Sequence, residues 1–187
     1  YNSSDYTLAC VKSIFEHTDR QSLNYNVVVV DNNSLVSDYE ALSPLEEYDN
    51  VKVVRSNVNL GFSSGNMFGL QFTCARFYFF LNNDCRFLND CLSILYKFCI
   101  ANKNVGICSP QLYSKDNEPH TSFDYFPTIS SKILGTALLK LFKKDTDRKA
   151  IYHSPTKVDL VSGSSLFVNA EAFSKIGGLD TTFFLYC

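Results

Sequence analysis

The sequence predicts an α/β fold, a mainly parallel mixed sheet flanked by helices, and three observations carry that expectation. Val27-Val28-Val29-Val30 and Phe77-Tyr78-Phe79-Phe80-Leu81 are unbroken apolar runs. A strand with one wet face alternates apolar with polar residues, so runs without alternation mark strands buried on both faces. Both runs then stop at polar groups, Asp31-Asn32-Asn33-Ser34 and Asn82-Asn83-Asp84. Finally, helical and strand-like patterns alternate with short links as far as Cys108, the order that gives parallel strands joined by right-handed crossovers.

Taken in order, Leu8, Val11, Ile14 and Phe15 recur at helical spacing and predict a helix from about Ser4 to His17, with Ser3, Ser4 or Asp5 as its cap. The β-branched run at 27–30 is the first strand. Val36 to Tyr48 reads as a short helix broken by Pro44, and Val51-Lys52-Val53-Val54 as the next strand. Gly61, Gly65 and Gly69 are spaced to share one helix face, where a ligand or another backbone can approach closely. Ser63 and Ser64 are good caps, and a helix N-terminus there would attract an anion. After the 77–81 strand, Leu88, Leu92, Leu95 and Cys99 mark an amphipathic helix, and Val105 to Cys108 a short strand.

Residues 113–157 break the rhythm. Ile129, Ile133, Leu134, Ala137, Leu138, Leu141 and Phe142 form a helical stripe that ends near Lys140, Lys143 and Lys144. Those lysines complement a helix dipole, or else seat a basic amphipathic helix on an anionic membrane surface. Strands are expected at Val158–Val161 and Leu166–Val168, then a helix capped by Asn169 and ended by Gly177-Gly178.

A chain of 187 residues, 45% apolar and 19% charged, suffices for one soluble globular domain. A net charge of −2 with no basic stripe argues against a nucleic-acid partner. Seven cysteines show no Cys-x-x-Cys spacing and only three histidines accompany them, so a zinc site is poorly supported and free thiols in a reducing compartment are expected. Neither a P-loop nor Gly-x-Gly-x-x-Gly occurs, which counts against a Rossmann dinucleotide domain. In open α/β sheets ligands bind beyond the carboxyl ends of strands. There a carboxylate such as Asp84 can hold a divalent cation, and amides can bind hydroxyls or phosphate.

The pieces together resemble the inverting family-2 glycosyltransferases with the GT-A, Rossmann-like fold, and most of all their rhamnosyltransferase-like branch. The resemblance runs through Tyr1-Asn2-Ser3, Val30-Asp31-Asn32-Asn33-Ser34, Asn59-Leu60-Gly61-Phe62-Ser63-Ser64-Gly65-Asn66, Leu81-Asn82-Asn83-Asp84, Ser162-Gly163 and Gly177 to Tyr186. It implies one GT-A domain over 1–187, with 1–112 the nucleotide-sugar half and 113–187 the acceptor-side half. Tyr1 and Asn2 would border the nucleotide base, Asp31 would accept from the base ring, and Asn33, Asn59, Gly61, Gly65 and Asn66 would line the nucleotide-sugar. Asn82-Asn83-Asp84 stands where the family has Asp-x-Asp, so Asp84 would hold the Mg²⁺ or Mn²⁺. Ser162 and Gly163 would lie on the acceptor side.

The implied reaction moves a sugar, with inversion, from a nucleotide-diphosphate sugar to a glycan or lipid-linked acceptor in cell-surface polysaccharide synthesis. The implied setting is the cytoplasm, at the inner membrane face if 129–144 docks there. Two departures suggest a piece of a longer chain. The family's apolar first strand would precede Tyr1, and its acidic pair, with the general base, would follow Cys187. Asp180 is the nearest acid to that base within the chain, with bracing the acceptor loop as its competing role. On this view the piece alone is a poor catalyst, or insoluble. The rival reading is a GT-A-like module that binds a nucleotide or glycan without turnover.

Overall fold

The computed structural model describes residues 1–126, 148 and 150–185. The lysine-edged stripe at 129–144 lies outside them, as do Tyr186 and Cys187. Helix α1 (Ser4–His17) forms where the periodicity places it. Its cap comes from elsewhere, however: Asp38 accepts the Ser3 and Ser4 amides at 3.0 and 3.1 Å and the Ser4 hydroxyl at 2.8 Å. Strand β1 (Val27–Asp31) pairs in parallel with β2 (Val51–Arg55), which sets Asp31 opposite Arg55. Between them, the expected helix at 36–48 is split into α2 (Val36–Glu40) and a 3₁₀ turn (Ser43–Glu47), with Pro44 in the first turn of the latter.

Next come α3 (Gly61–Leu70), β3 (Phe77–Leu81) and α4 (Cys91–Ala101). Asp90 caps α4 by accepting the Ser93 amide at 3.2 Å, which leaves Leu88 before the helix and solvent-exposed. Four two-residue strands follow: β4 (Ile107–Cys108), β5 (Leu112–Tyr113), β6 (Pro119–His120) and β7 (Phe123–Asp124). Then β8 (Leu160–Val161) pairs with β7, and β9 (Ser165–Asn169) leads into α5 (Ala170–Lys175). Gly177 and Gly178, at φ +84° and +86°, end α5 in the left-handed conformation that glycine adopts without strain.

The sheet differs from the expectation in two respects. Among the described residues only β1–β2 is parallel; β9 pairs antiparallel with both β3 and β4. In addition, among the described residues β1 and β3 do not share a sheet: β1 bonds to β2, and β3 to β9. Their unpaired edges border a cavity of about 600 Å³ lined by Val27–Asp31 on one side and Phe77–Leu81 on the other. Side chains alternate across a strand, so the packing partners identify the faces. Val29 packs with Val11 of α1, whereas a Cβ on Gly69 of α3 would meet Val30 and Val28. Likewise Phe79 and Leu81 pack with Cys10 and Ile14 of α1, and Tyr78 and Phe80 with Met67 and Leu70 of α3. Helices α1 and α3 thus bridge the two sheets on opposite faces and leave a strand-shaped slot between β1 and β3. This two-sided burial is why neither run alternates; each buried side chain of the Val or Phe type contributes about 1.5–3 kcal/mol.

The glycine face of α3 is filled by β1. A Cβ on Gly65 would sit 2.9 Å from the Asn32 amide, and one on Gly69 would sit 2.7 Å from Val30. Close helix–sheet approach therefore accounts for that spacing.

Candidate functional site

A closed circuit of contacts gathers the strand ends around the mouth of the slot. The Asn82 amide donates to the Ser164 carbonyl at 2.9 Å, which joins β3 to the turn before β9. Asn83 Nδ2 donates to Ser3 Oγ at 2.7 Å and to Thr7 Oγ1 at 2.9 Å, tying β3 to the start of α1. The Asn2 amide donates to Ser34 Oγ at 2.8 Å, and the Leu35 amide to Asn2 Oδ1 at 2.9 Å. The Ser34 amide in turn donates to both Asp31 oxygens at 3.3 Å. Asn32 Nδ2 donates to the Gly61 carbonyl at 3.0 Å. The circuit closes where Phe62 approaches Gly163, whose Cβ, if present, would lie 3.6 Å from the Phe62 ring. Asp31 and Asn82-Asn83-Asp84 therefore lie on one edge, as two strands ending in the same direction require. Tyr1, 61% exposed, lines the cavity at this edge.

The two carboxylates differ. Asp31 is buried, and its Oδ2 lies 3.2 Å from Arg55 Nε. Arg55 also donates through Nη2 to the Ser34 carbonyl at 2.6 Å and stacks 4.5 Å from the Tyr39 ring. Asp84 is exposed, and among the described residues its one contact within hydrogen-bond range is the Cys85 thiol at 3.9 Å. Burial and the Asp84 carboxylate push that thiol up to about 11, so it stays protonated at neutral pH. A lone, solvent-facing carboxylate flanked by amides suits a hard cation that takes its other ligands from phosphate oxygens and water. Among the described residues no group of three or more His, Cys, Asp or Glu could hold a metal by itself. The donor set accordingly fits Mg²⁺ or Mn²⁺ held jointly with a phosphorylated ligand, and does not fit zinc.

Other expected site residues have local duties. Asn59 Oδ1 accepts the Gly61 amide at 3.0 Å, and Asn66 Nδ2 donates back to the Phe62 carbonyl at 2.9 Å. Asn33 turns the chain after β1 with φ +64°. Ser162 Oγ is 3.3 Å from Ser164 Oγ, and its amide donates to the Ser122 carbonyl at 2.9 Å. The anion site expected at Ser63 and Ser64 is displaced: α3 begins at Gly61, and the Phe62 amide donates to the Phe184 carbonyl at 2.7 Å. Asp180 accepts the Thr182 amide at 2.9 Å and the Thr182 hydroxyl at 2.7 Å. Those bonds, the hydroxyl's first, hold its carboxyl below the usual range, the opposite of what a general base near neutral pH needs. Sequence reasoning missed Arg55 and Asp38. The signal for Arg55 was its place at the end of a strand parallel to the one ending in Asp31.

Among the described residues no helix is long and apolar enough to cross a membrane.

Comparisons with known proteins bear on this edge. The family model described as glycosyl transferase family 2 matches residues 1–170. Rhamnosyltransferase WbbL of Escherichia coli (strain K12) is 24% identical over 189 aligned residues, which cover 95% of this chain and 68% of that protein. The mannosyltransferase PcManGT of Pyrobaculum calidifontis, solved in complex with GDP-Man and Mn²⁺, superposes with a TM-score of 0.64 at 17% identity. The match covers 97% of this chain but 45% of that one, so the chain spans less than half of that structure. At such identity the likeness establishes the shared GT-A fold.

Proposed function

Because this chain belongs to glycosyl transferase family 2, we propose that it forms the sugar-nucleotide core of an inverting glycosyltransferase that acts on a glycan or lipid-linked acceptor in surface polysaccharide synthesis. The observation that carries this reading is the circuit that brings Asn2, Asp31, Asn82, Asn83 and Gly163 to one mouth, with Asp84 left unneutralised beside them. In this reading residues 1–112 hold the donor and 113–187 face the acceptor, and Tyr1 lies against the base. Asp31 lines the cavity and keeps lone-pair capacity beyond Arg55 and Ser34, enough to accept from the base ring. Asp84 would hold the divalent ion, which neutralises charge on the departing diphosphate. Ser162 and Gly163 border the acceptor. The work is done in the cytoplasm. The slot has apolar strand edges on both walls, with Tyr1 at its mouth.

Asp180 is tied up in its own turn, which argues against it as the base. That same observation favours the second reading, a domain that binds without turnover. Calorimetry with UDP-, GDP- and dTDP-sugars, with and without Mn²⁺, on the protein carrying its flanking residues tests the site. Metal-dependent binding that Asp84→Asn abolishes is expected; equal binding by the variant overturns the assignment. Turnover of a bound donor with glycan acceptors then separates enzyme from binding module.

A further inference from the structure

Phe183, Phe184 and Leu185 are exposed, and no strand holds them, yet their backbone is docked. The Phe184 carbonyl accepts the Phe62 amide at 2.7 Å, and Ser64 Oγ donates to the Thr181 carbonyl at 3.2 Å. Both contacts fall in the first turn of α3, where amides lack helical partners. Gly61 lies directly beneath the Phe184 carbonyl. A Cβ there would stand 2.1 Å from the carbonyl oxygen and 2.8 Å from its carbon, and Gly61 has φ +72°. A side chain is thus excluded both by the backbone conformation and by the peptide lying on it. Gly61 is itself fixed from two sides. Its amide donates to Asn59 Oδ1 and its carbonyl accepts Asn32 Nδ2, both at 3.0 Å, and Asn32 directly follows Asp31. A rigid path therefore runs from the end of β1 through Gly61 to the acceptor-side segment 181–185.

We propose that Gly61 is a positioning residue: it is the seat on which segment 181–185 docks, and it thereby sets the transfer step more than donor affinity. The inference rests on the glycosyltransferase reading for its kinetic consequence, but not for the docking itself. Gly61→Ala pushes the Phe184 peptide off the helix. A displacement on the scale of an ångström at a group that frames a reaction costs up to about 100-fold in rate.

The test uses the protein with its flanking residues and two variants. Amide hydrogen exchange should show Phe62 and residues 181–185 protected in the parent, faster in Gly61→Ala and moderately faster in Ser64→Ala, which removes one docking bond without touching the glycine. In Gly61→Ala kcat should fall by about tenfold or more, a larger factor than any rise in donor Kd, since Gly61 also lines the cavity. Unchanged exchange across 181–185 in both variants overturns the docking. Loss confined to donor affinity, with kcat intact, overturns the positioning role. A parent that binds no nucleotide-sugar sinks the glycosyltransferase reading and the kinetic claim, while exchange still decides whether Gly61 seats the segment. Should Gly61→Ala fail to fold, Ser64→Ala carries both readouts.

Discussion

Asp31 closes a strand of four valines and Asp84 follows a strand of five apolar residues by two amides, yet the two carboxylates meet opposite surroundings. Asp31 is enclosed and neutralised by Arg55 from the neighbouring strand. Asp84 faces solvent, three residues past the end of β3. The adjacent strand's last residue, Arg55, is what neutralises Asp31. A charge matched inside the fold organises the rim, and a charge left unmatched is available to bind.

The comparison breaks first at Arg55. Removing one partner of a buried pair leaves an uncompensated charge, so Arg55→Ala should destabilise the protein by about 3–5 kcal/mol. Urea unfolding measures this, and Asp31→Asn added to Arg55→Ala should recover much of the loss. If the single variant is as stable as the parent, Asp31 is not the neutralised member of the two.

Asp84→Asn sharpens the other side. Even outer-shell changes at a metal site cost about 10–100-fold in metal affinity, so losing the carboxylate should weaken Mn²⁺-dependent donor binding by at least about tenfold. Stability should move by no more than about 0.5 kcal/mol, as for other exposed positions. A large stability loss would mean that Asp84 is engaged within the fold after all.

A third carboxylate, Asp38, works only within the fold, and Asp38→Ala should cost about 1 kcal/mol, as the loss of a helix cap does. Burial pushes the Asp38 carboxyl up, but bonds from the Ser4 hydroxyl and the Ser4 and Ser3 amides outweigh that and hold it below its ordinary 3.8. Its folded value is depressed, so its contribution is complete above the ordinary value and fades as the pH falls through the lowered one. The difference in stability between parent and Asp38→Ala should therefore shrink in acid below about 3.8 and be constant near neutrality.

The smallest effect is expected at Asp180→Asn. The amide oxygen can still accept both Thr182 bonds, so the turn persists. Turnover should then change little, against the loss of about 10²–10⁴-fold that removal of a general base brings. A loss in that range would restore Asp180 as the base.

Much of this was legible in the chain because it depends on near neighbours. The helix at 4–17, the strands at 27–30 and 77–81, and the caps at Asn169 and Gly177-Gly178 follow from periodicity and turn chemistry within a few residues. The strand ends were legible as candidates for the same reason. The fate of each candidate was not, since it is set by a distant residue: Arg55 for Asp31, Asp38 for the start of α1, and the Phe184 carbonyl for the start of α3. Ser63 and Ser64 read as a phosphate-binding cap only while Phe184 is out of view. The antiparallel pairing of β9 was equally hidden, because apolar content marks a strand as buried without giving the direction of its neighbour.

The slot between β1 and β3 also bears on the order in which the chain folds. The β1–β2 register joins Val27 to Val51 across a short connection, while the β3–β9 register joins Phe77 to Asn169 across most of the second half of the chain. Loop closure makes the second pairing the slower, so the slot is the seam between an early unit and a late one. Refolding from denaturant should therefore show a fast phase for the β1–β2 unit and a slower one for the β3–β9 unit.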